Sequence, residues 1–268
     1  MARRKKRRRG SSPLAPIAAV LGIGLVAAAM AGTYYFAYRD TQKPAVSEID
    51  LCPVDGHEPH LAILVDTTDP MTLTQLELAR QHIEDKIDDA AIETRISFAT
   101  VDPDGSIRQD NFFSMCKPET GADVSILTQN PRLVEERFQS EFAEPIHAAL
   151  DQLLRVPEAS SSPIMEATQE LAARIPGFAV SDAPRELLIM SDLVQHSEVF
   201  SFIRGDDWQS FVKSGGPTRF GSAYKGATVS VLRVPRMPDR AAAIDDFWVR
   251  YFDAQGFDRV RVTQLGDL

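Results

Sequence analysis

Apolar positions along the chain follow three different patterns. From Leu14 to Tyr38 the run LAPIAAVLGIGLVAAAMAGTYYFAY holds 25 residues without a formal charge. Its length predicts a helix about 37 Å long, apolar on every side. Residues 39–60 are polar and interrupted by Pro44, Pro53, Gly56 and Pro59, the signature of a linker. From residue 61 onward, short apolar runs alternate with longer stretches of helical period. LAILVD (61–66) is a short apolar run that ends in an acid and reads as a buried strand, and RELLIMSD (185–192) reads as another buried strand ending in an acid. IETRISFATVD (92–102), SIRQDNFFSM (106–115), GATVSVLRVP (226–235) and DRVRVTQL (258–265) are four more. Pro103-Asp104-Gly105 is a tight turn that folds the second strand back on the third as a hairpin.

The intervening stretches carry helix signals. Asp69 is a natural N-cap with Pro70 at the first helical position, and Leu76, Ala79, Ile83 and Ile87 mark an apolar face. Asn130-Pro131 opens a helical stretch that reaches about Val156 and breaks at Pro145, whose ring removes a backbone donor. PEASSSP (157–163) is a loop, and Pro163 starts a helix that ends near Ile175-Pro176-Gly177. A short helix covers Asp207–Val212. Ile244, Phe247, Trp248, Tyr251 and Phe252 form a core-facing stripe closed by Gly256. The order β-α-β-β-α-α-β-α-β-α-β predicts one α/β domain over 61–268. It has a doubly wound, mostly parallel six-stranded sheet with one antiparallel edge strand.

Charge changes the picture at the N-terminus. The net charge of −9 combines seven basic side chains within the first nine residues with a body, 44–268, that carries −17. Such a body is a poor nucleic-acid binder, because phosphate contacts need clustered Lys and Arg. Seven positive charges before the apolar run against two after it predict a cytoplasmic tail over 1–13. A transmembrane helix over 14–38 follows, then the linker, with the domain outside (periplasmic in a bacterium). Tyr34, Tyr35, Phe36 and Tyr38 suit the far interface. Ala29-Met30-Ala31 supports a second reading, a cleaved signal peptide. Gly24, Ala28 and Gly32 lie four residues apart, a spacing that lets two membrane helices approach and points to a homo-oligomer. Outside the cytoplasm, Cys52 and Cys116 can pair, closing a loop of about 65 residues for roughly 4 kcal/mol. In a cytoplasmic body they would be two buried thiols.

The chemistry sits where two strands end in an aspartate, Asp66 and Asp192, with the hydroxyl-rich loop Ser160-Ser161-Ser162 between them in sequence. Doubly wound sheets bind ligands beyond the carboxyl ends of their strands. Carboxylates and hydroxyls converging there suit a hard divalent cation, Mg²⁺ or Mn²⁺. The bland alternative is that a strand-terminal Asp accepts backbone hydrogen bonds from its own loop.

In element order and in these loops the chain resembles the von Willebrand factor A domain, itself Rossmann-like. That family carries a metal-ion-dependent adhesion site built from a D-x-[ST]-x-S loop, a hydroxyl from a second loop and an Asp from a third. Asp66 and Thr68 match the first loop, and Asp192 the third. Ser161 or Ser162 is the nearest candidate for the second. Pro70 stands where the second hydroxyl belongs, so one ligand is missing; Asp69 is a substitute only if it is not the N-cap. The resemblance implies a cation completed by an acidic residue of a protein partner.

Other signals are weaker. Cys52, His57 and His60 lack a fourth zinc ligand. Ser191, Asp192 and His196 lack a G-x-S-x-G elbow, and no Gly-rich phosphate loop is present. Glu84, Asp85, Asp88 and Asp89 read as a solvated helix face. Phe200, Phe202 and Trp208 are either a partner surface or loop residues packed on the domain. The expectation is a membrane-anchored protein–protein interaction module rather than an enzyme. Three alternatives stay open: a metal-free scaffold of a membrane or envelope complex, a hydrolase with a metal-activated water between Asp66 and Asp192, and a cytoplasmic body.

Overall fold

A computed structural model describes residues 14–41, 45–68, 70–153, 160–221, 224–234 and 236–265. Six strands, β1 (His60–Val65), β2 (Arg95–Thr100), β3 (Phe112–Cys116), β4 (Arg185–Ser191), β5 (Thr228–Arg233) and β6 (Arg259–Gln264), form one sheet in the order β3-β2-β1-β4-β5-β6. Every pair is parallel except β2 with β3, whose register sets Ala99 opposite Phe112. β1 is buried along its whole length because both faces are covered. Alternate residues serve opposite layers, as the twofold period of a strand requires. Ala62 and Leu64 join the core that includes Trp248 and Tyr251. Leu61, Ile63 and Val65 join Ile83, Ile87 and Phe142 on the other side.

Helix α1 (Leu14–Thr41) precedes the domain, and its described apolar residues, Leu21, Ile23, Leu25, Val26 and Met30 among them, are exposed. Among the described residues no helix is long and apolar enough to cross a membrane. Cβ atoms built at Gly24 and Gly32 would meet nothing within 4 Å.

Several boundaries differ from the sequence reading. α2 (Leu73–Asp89) is capped by Thr72, not started by Asp69-Pro70. The Gln75 N–H donates to Thr72 Oγ1 at 3.1 Å while the Thr72 N–H donates to Gln75 Oε1 at 3.0 Å. This reciprocal box satisfies two donors, where an Asp cap satisfies one. Asp69 itself lies outside the described residues. β2 and β3 pair as expected, and the tight turn is present, with the Gly105 N–H donating to the Asp102 carbonyl at 2.9 Å, but the connection runs on beyond it. Asp102 accepts from the Arg108 N–H and the Asn111 side-chain amide, which holds residues 101–111 as a loop. The long helical stretch divides into α3 (Pro131–Phe138), a π-helical turn over Gln139–Ala143, and α4 (Glu144–Leu153). The widened turn ends two residues before Pro145, which has no N–H to continue the ladder. α5 (Ile164–Arg174) follows Pro163, and α6 (Trp208–Lys213) is capped by Asp207. A short α7 (Gly216–Phe220), unforeseen, precedes β5. α8 (Ala241–Gln255) ends at Gly256, with φ 82°.

The later part of the 39–60 stretch is fixed to the sheet. Cys52 forms a disulfide with Cys116 at the end of β3. Arg95 on β2, nearly inaccessible, pairs with Glu58 at 2.6 Å and with Asp50 at 2.9 Å. A polar composition read as linker therefore encodes a strap whose charges meet a buried guanidinium.

His60 opens β1 edge-on to Phe178 and is 3% exposed; neither ring nitrogen has a hydrogen-bond partner. Burial pushes its imidazole down to about 4, with Glu58 pulling upward and Arg95 and Arg185 pushing further down. Between an ordinary value near 6.5 and this value, the unfolded chain binds a proton that the folded chain refuses. Stability is therefore complete above pH ~6.5 and falls by about 3 kcal/mol as the pH drops through this window. His60→Phe is expected to flatten that part of the pH dependence in urea midpoints; an unchanged slope would locate it elsewhere.

Candidate functional site

The carboxyl ends of β1 and β4 lie side by side, so the loops that follow them share one edge of the sheet. Asp66, 6% exposed, is the centre of that edge. Its Oδ1 accepts from the Thr68 N–H at 3.1 Å and from Thr68 Oγ1 at 2.6 Å. Its Oδ2 accepts from Ser162 Oγ at 2.9 Å and from Ser191 Oγ at 2.7 Å. One carboxylate thus organises three loops.

The second loop is locked to the third. Ser162 and His196 exchange backbone hydrogen bonds of 3.0 and 2.8 Å. Gln195, fully buried, accepts from the Met165 N–H at the start of α5. His196 Nδ1 meets Ser201 Oγ at 2.7 Å, a loop contact on a serine with no exposure. Ser162 consequently converges on Asp66, whereas Ser161 turns away and donates to the Pro103 carbonyl at 2.6 Å. Of the two second-loop candidates, only Ser162 joins the cluster.

Asp192 follows Ser191 and is 5% exposed. Its Oδ1 accepts the Val194 N–H at 2.7 Å, and Arg236 Nε lies 3.6 Å from its Oδ2. The same guanidinium donates through Nη2 to the carbonyl of Pro70. Arg236 therefore bridges the first loop to the third, at the residue that stands in place of the missing hydroxyl.

The donor set can be weighed against a divalent cation. Thr68 Oγ1 and Ser162 Oγ commit their protons to Asp66, leaving lone pairs for a metal, and Asp192 offers a carboxylate. Against this, position 70 supplies no hydroxyl, and a permanent positive charge already lies against Asp192. A dication beside that guanidinium would meet like charge in a poorly solvated place. The residues fit half of a cation site and carry their own cation for the other half.

Elsewhere the candidates resolve simply. The sulfurs of Cys52 and Cys116 are bonded to each other, so neither offers a thiolate to a metal beside Glu58, and His57 is engaged with the Asp55 carbonyl. Phe200 and Phe202 pack down on Phe247 with ring centroids 4.3 and 5.2 Å away, and Trp208 joins them at 5.6 Å.

No family model matches the chain, and no curated protein is similar to it. Among solved structures, a von Willebrand factor type A protein from Catenulispora acidiphila aligns at 12% identity and a TM-score of 0.40, covering 78% of this chain and 39% of that one. The D319A mutant of the PilB minor pilin from Streptococcus sanguinis aligns at 9% and 0.46, covering 78% and 57%. The chain thus spans well under two thirds of either protein. The chain itself shows a six-stranded, mostly parallel α/β sheet with packed layers on both faces.

Sequence reasoning missed two members of the cluster. Ser191 has a recognisable signal, a hydroxyl at the end of a buried strand beside an acid. Arg236 has none: it lies 44 positions beyond Asp192, after β5, and only the fold brings it back.

Proposed function

We propose that this chain is a membrane-anchored protein-interaction module. In this reading α1 spans the bilayer, with the basic tail on the cytoplasmic side. The domain presents the Asp66–Asp192 edge to a protein partner through the chain's own Arg236, in place of a bound metal. The observation that carries the reading is the guanidinium held between Pro70 and Asp192. Arg236 keeps partial exposure, so an acidic residue of the partner can reach it. The 25-residue uncharged run within a single helix supports the anchor, and the open space around Gly24 and Gly32 accommodates a second copy of that helix.

The competing reading places Mg²⁺ or Mn²⁺ at Asp66, Thr68, Ser162 and Asp192. The two separate in thermal unfolding of the full chain in detergent, with EDTA and then with either metal. A cation at ~100 times its dissociation constant stabilises by about 2.7 kcal/mol, a shift of several degrees. The self-neutralised site predicts no shift in the wild type and a metal-dependent gain in Arg236→Ala. A wild-type shift that disappears in Asp192→Ala would establish the metal instead. The α/β domain would retain the same sheet in either case.

A further inference from the structure

The end of the sheet opposite the Asp66 cluster bears exposed apolar side chains from three separate segments. The amino ends of the parallel strands and the carboxyl end of antiparallel β3 meet there. The strap over 45–59 contributes Val46, Ile49 and Val54; the loop after β3 contributes Ile126 and Leu127; the loop before β4 contributes Val180. Each is more than half exposed, Ile49 and Leu127 about nine-tenths so. Scattered surface apolar residues need no explanation. Leu73 and Ile203 are exposed at the other end as well; what distinguishes this end is that the strap directly follows α1 and is not free to fold its side chains inward. The disulfide, the Asp50 and Glu58 pairs with Arg95, and the Cys116 N–H donating to the Asp50 carbonyl at 2.8 Å hold it in place.

The length of chain identifies what covers this end. Only residues 42–44 separate Thr41, the last residue of α1, from Ala45 in the strap. Four Cα–Cα steps reach at most about 15 Å. If α1 crosses the bilayer, the strap is tethered within that distance of the headgroups. Apolar side chains on a rigid loop at that distance gain by entering the interface.

We infer that this end of the domain, through Ile49 of the strap and Leu127 of the neighbouring loop, rests on the bilayer that holds α1, leaving the Asp66–Arg236 edge facing away from the membrane. The inference rests on the anchor reading above. A strand of six residues spans about 20 Å, so the two ends cannot both touch the surface.

The test uses the full chain in phosphatidylcholine–phosphatidylglycerol vesicles with brominated acyl chains, which quench nearby tryptophan. Ile49→Trp and Leu127→Trp place the probe at this end, and Ile203→Trp places it in the exposed loop after β4, at the other. All three sites are exposed, so the core is untouched, and the unsubstituted chain supplies the background from Trp208 and Trp248. The expected result is at least a twofold loss of the added fluorescence at 49 and 127, with none at 203. Flotation of the same vesicles is read in parallel. A chain that floats with position 49 unquenched, or with all three positions quenched equally, overturns the docking while leaving the anchor intact. A chain that fails to float overturns both.

Discussion

Replacing Cys52 and Cys116 together with serine is expected to lower the unfolding free energy by about 4 kcal/mol. The bridge joins positions 64 apart, so its removal frees a long loop in the unfolded ensemble. Native contacts change as well. The disulfide holds the strap against β3, and without it Asp50 and Glu58 lose the support that keeps them on Arg95. Arg95 and Glu58 are both buried, so parting them strands charge where water is scarce. Urea titration of the full chain measures this directly: the double variant and the reduced wild type should share one lowered midpoint. If reduction left the midpoint where it was, the bridge would not constrain the unfolded chain, and the strap would owe its position to the ion pairs alone.

Asp66→Ala is expected to cost a similar amount, about 4 kcal/mol, for a different reason. The carboxylate accepts four hydrogen bonds, three from hydroxyls. Hydrogen bonds to a charged acceptor contribute about 1.5–3 kcal/mol each, but removing a buried carboxylate also recovers its own desolvation cost, which leaves about 1 kcal/mol per bond. Ser191 is 1% exposed and has no solvent to turn to. Asp66→Asn keeps one acceptor oxygen and should lose about half as much. The second loop supplies an internal control. Ser162→Ala removes a bond to Asp66 and should cost about 1 kcal/mol, whereas Ser161→Ala, on an exposed side chain outside the cluster, should fall within about 0.5 kcal/mol of wild type. Equal losses at 161 and 162 would mean that Asp66 does not organise the three loops.

Much of the sheet was legible because its signals are local. LAILV is apolar without interruption and LLIM forms the apolar centre of RELLIMSD, runs that suit strands covered on both faces. Asn130-Pro131 and Gly256 mark helix ends through properties of single residues, a side-chain acceptor and a positive φ. The failures came where a local signal had a competitor. Asp69-Pro70 is a plausible helix start, but Thr72 with Gln75 three residues later satisfies more donors. Pro103-Asp104-Gly105 turns the chain, yet Asp102 gathers the residues after it into a longer loop. Residues 45–60 are polar and proline-rich like a linker, and nothing local reveals that their acids face Arg95.

The same division runs through the candidate site. The sequence by itself determined that Asp66 and Asp192 each end a buried strand, because apolar runs and strand-terminal acids are properties of contiguous residues; the structure placed the two strands side by side. Only the tertiary structure decided which hydroxyls meet Asp66, since Ser161 and Ser162 are adjacent and differ by the direction a backbone bridge to His196 imposes. Only the tertiary structure brought Arg236 to Pro70 and Asp192. A charge pair depends on distance in space, and β5 must first take its place beside β4 before the chain that follows can return to the loop after β4.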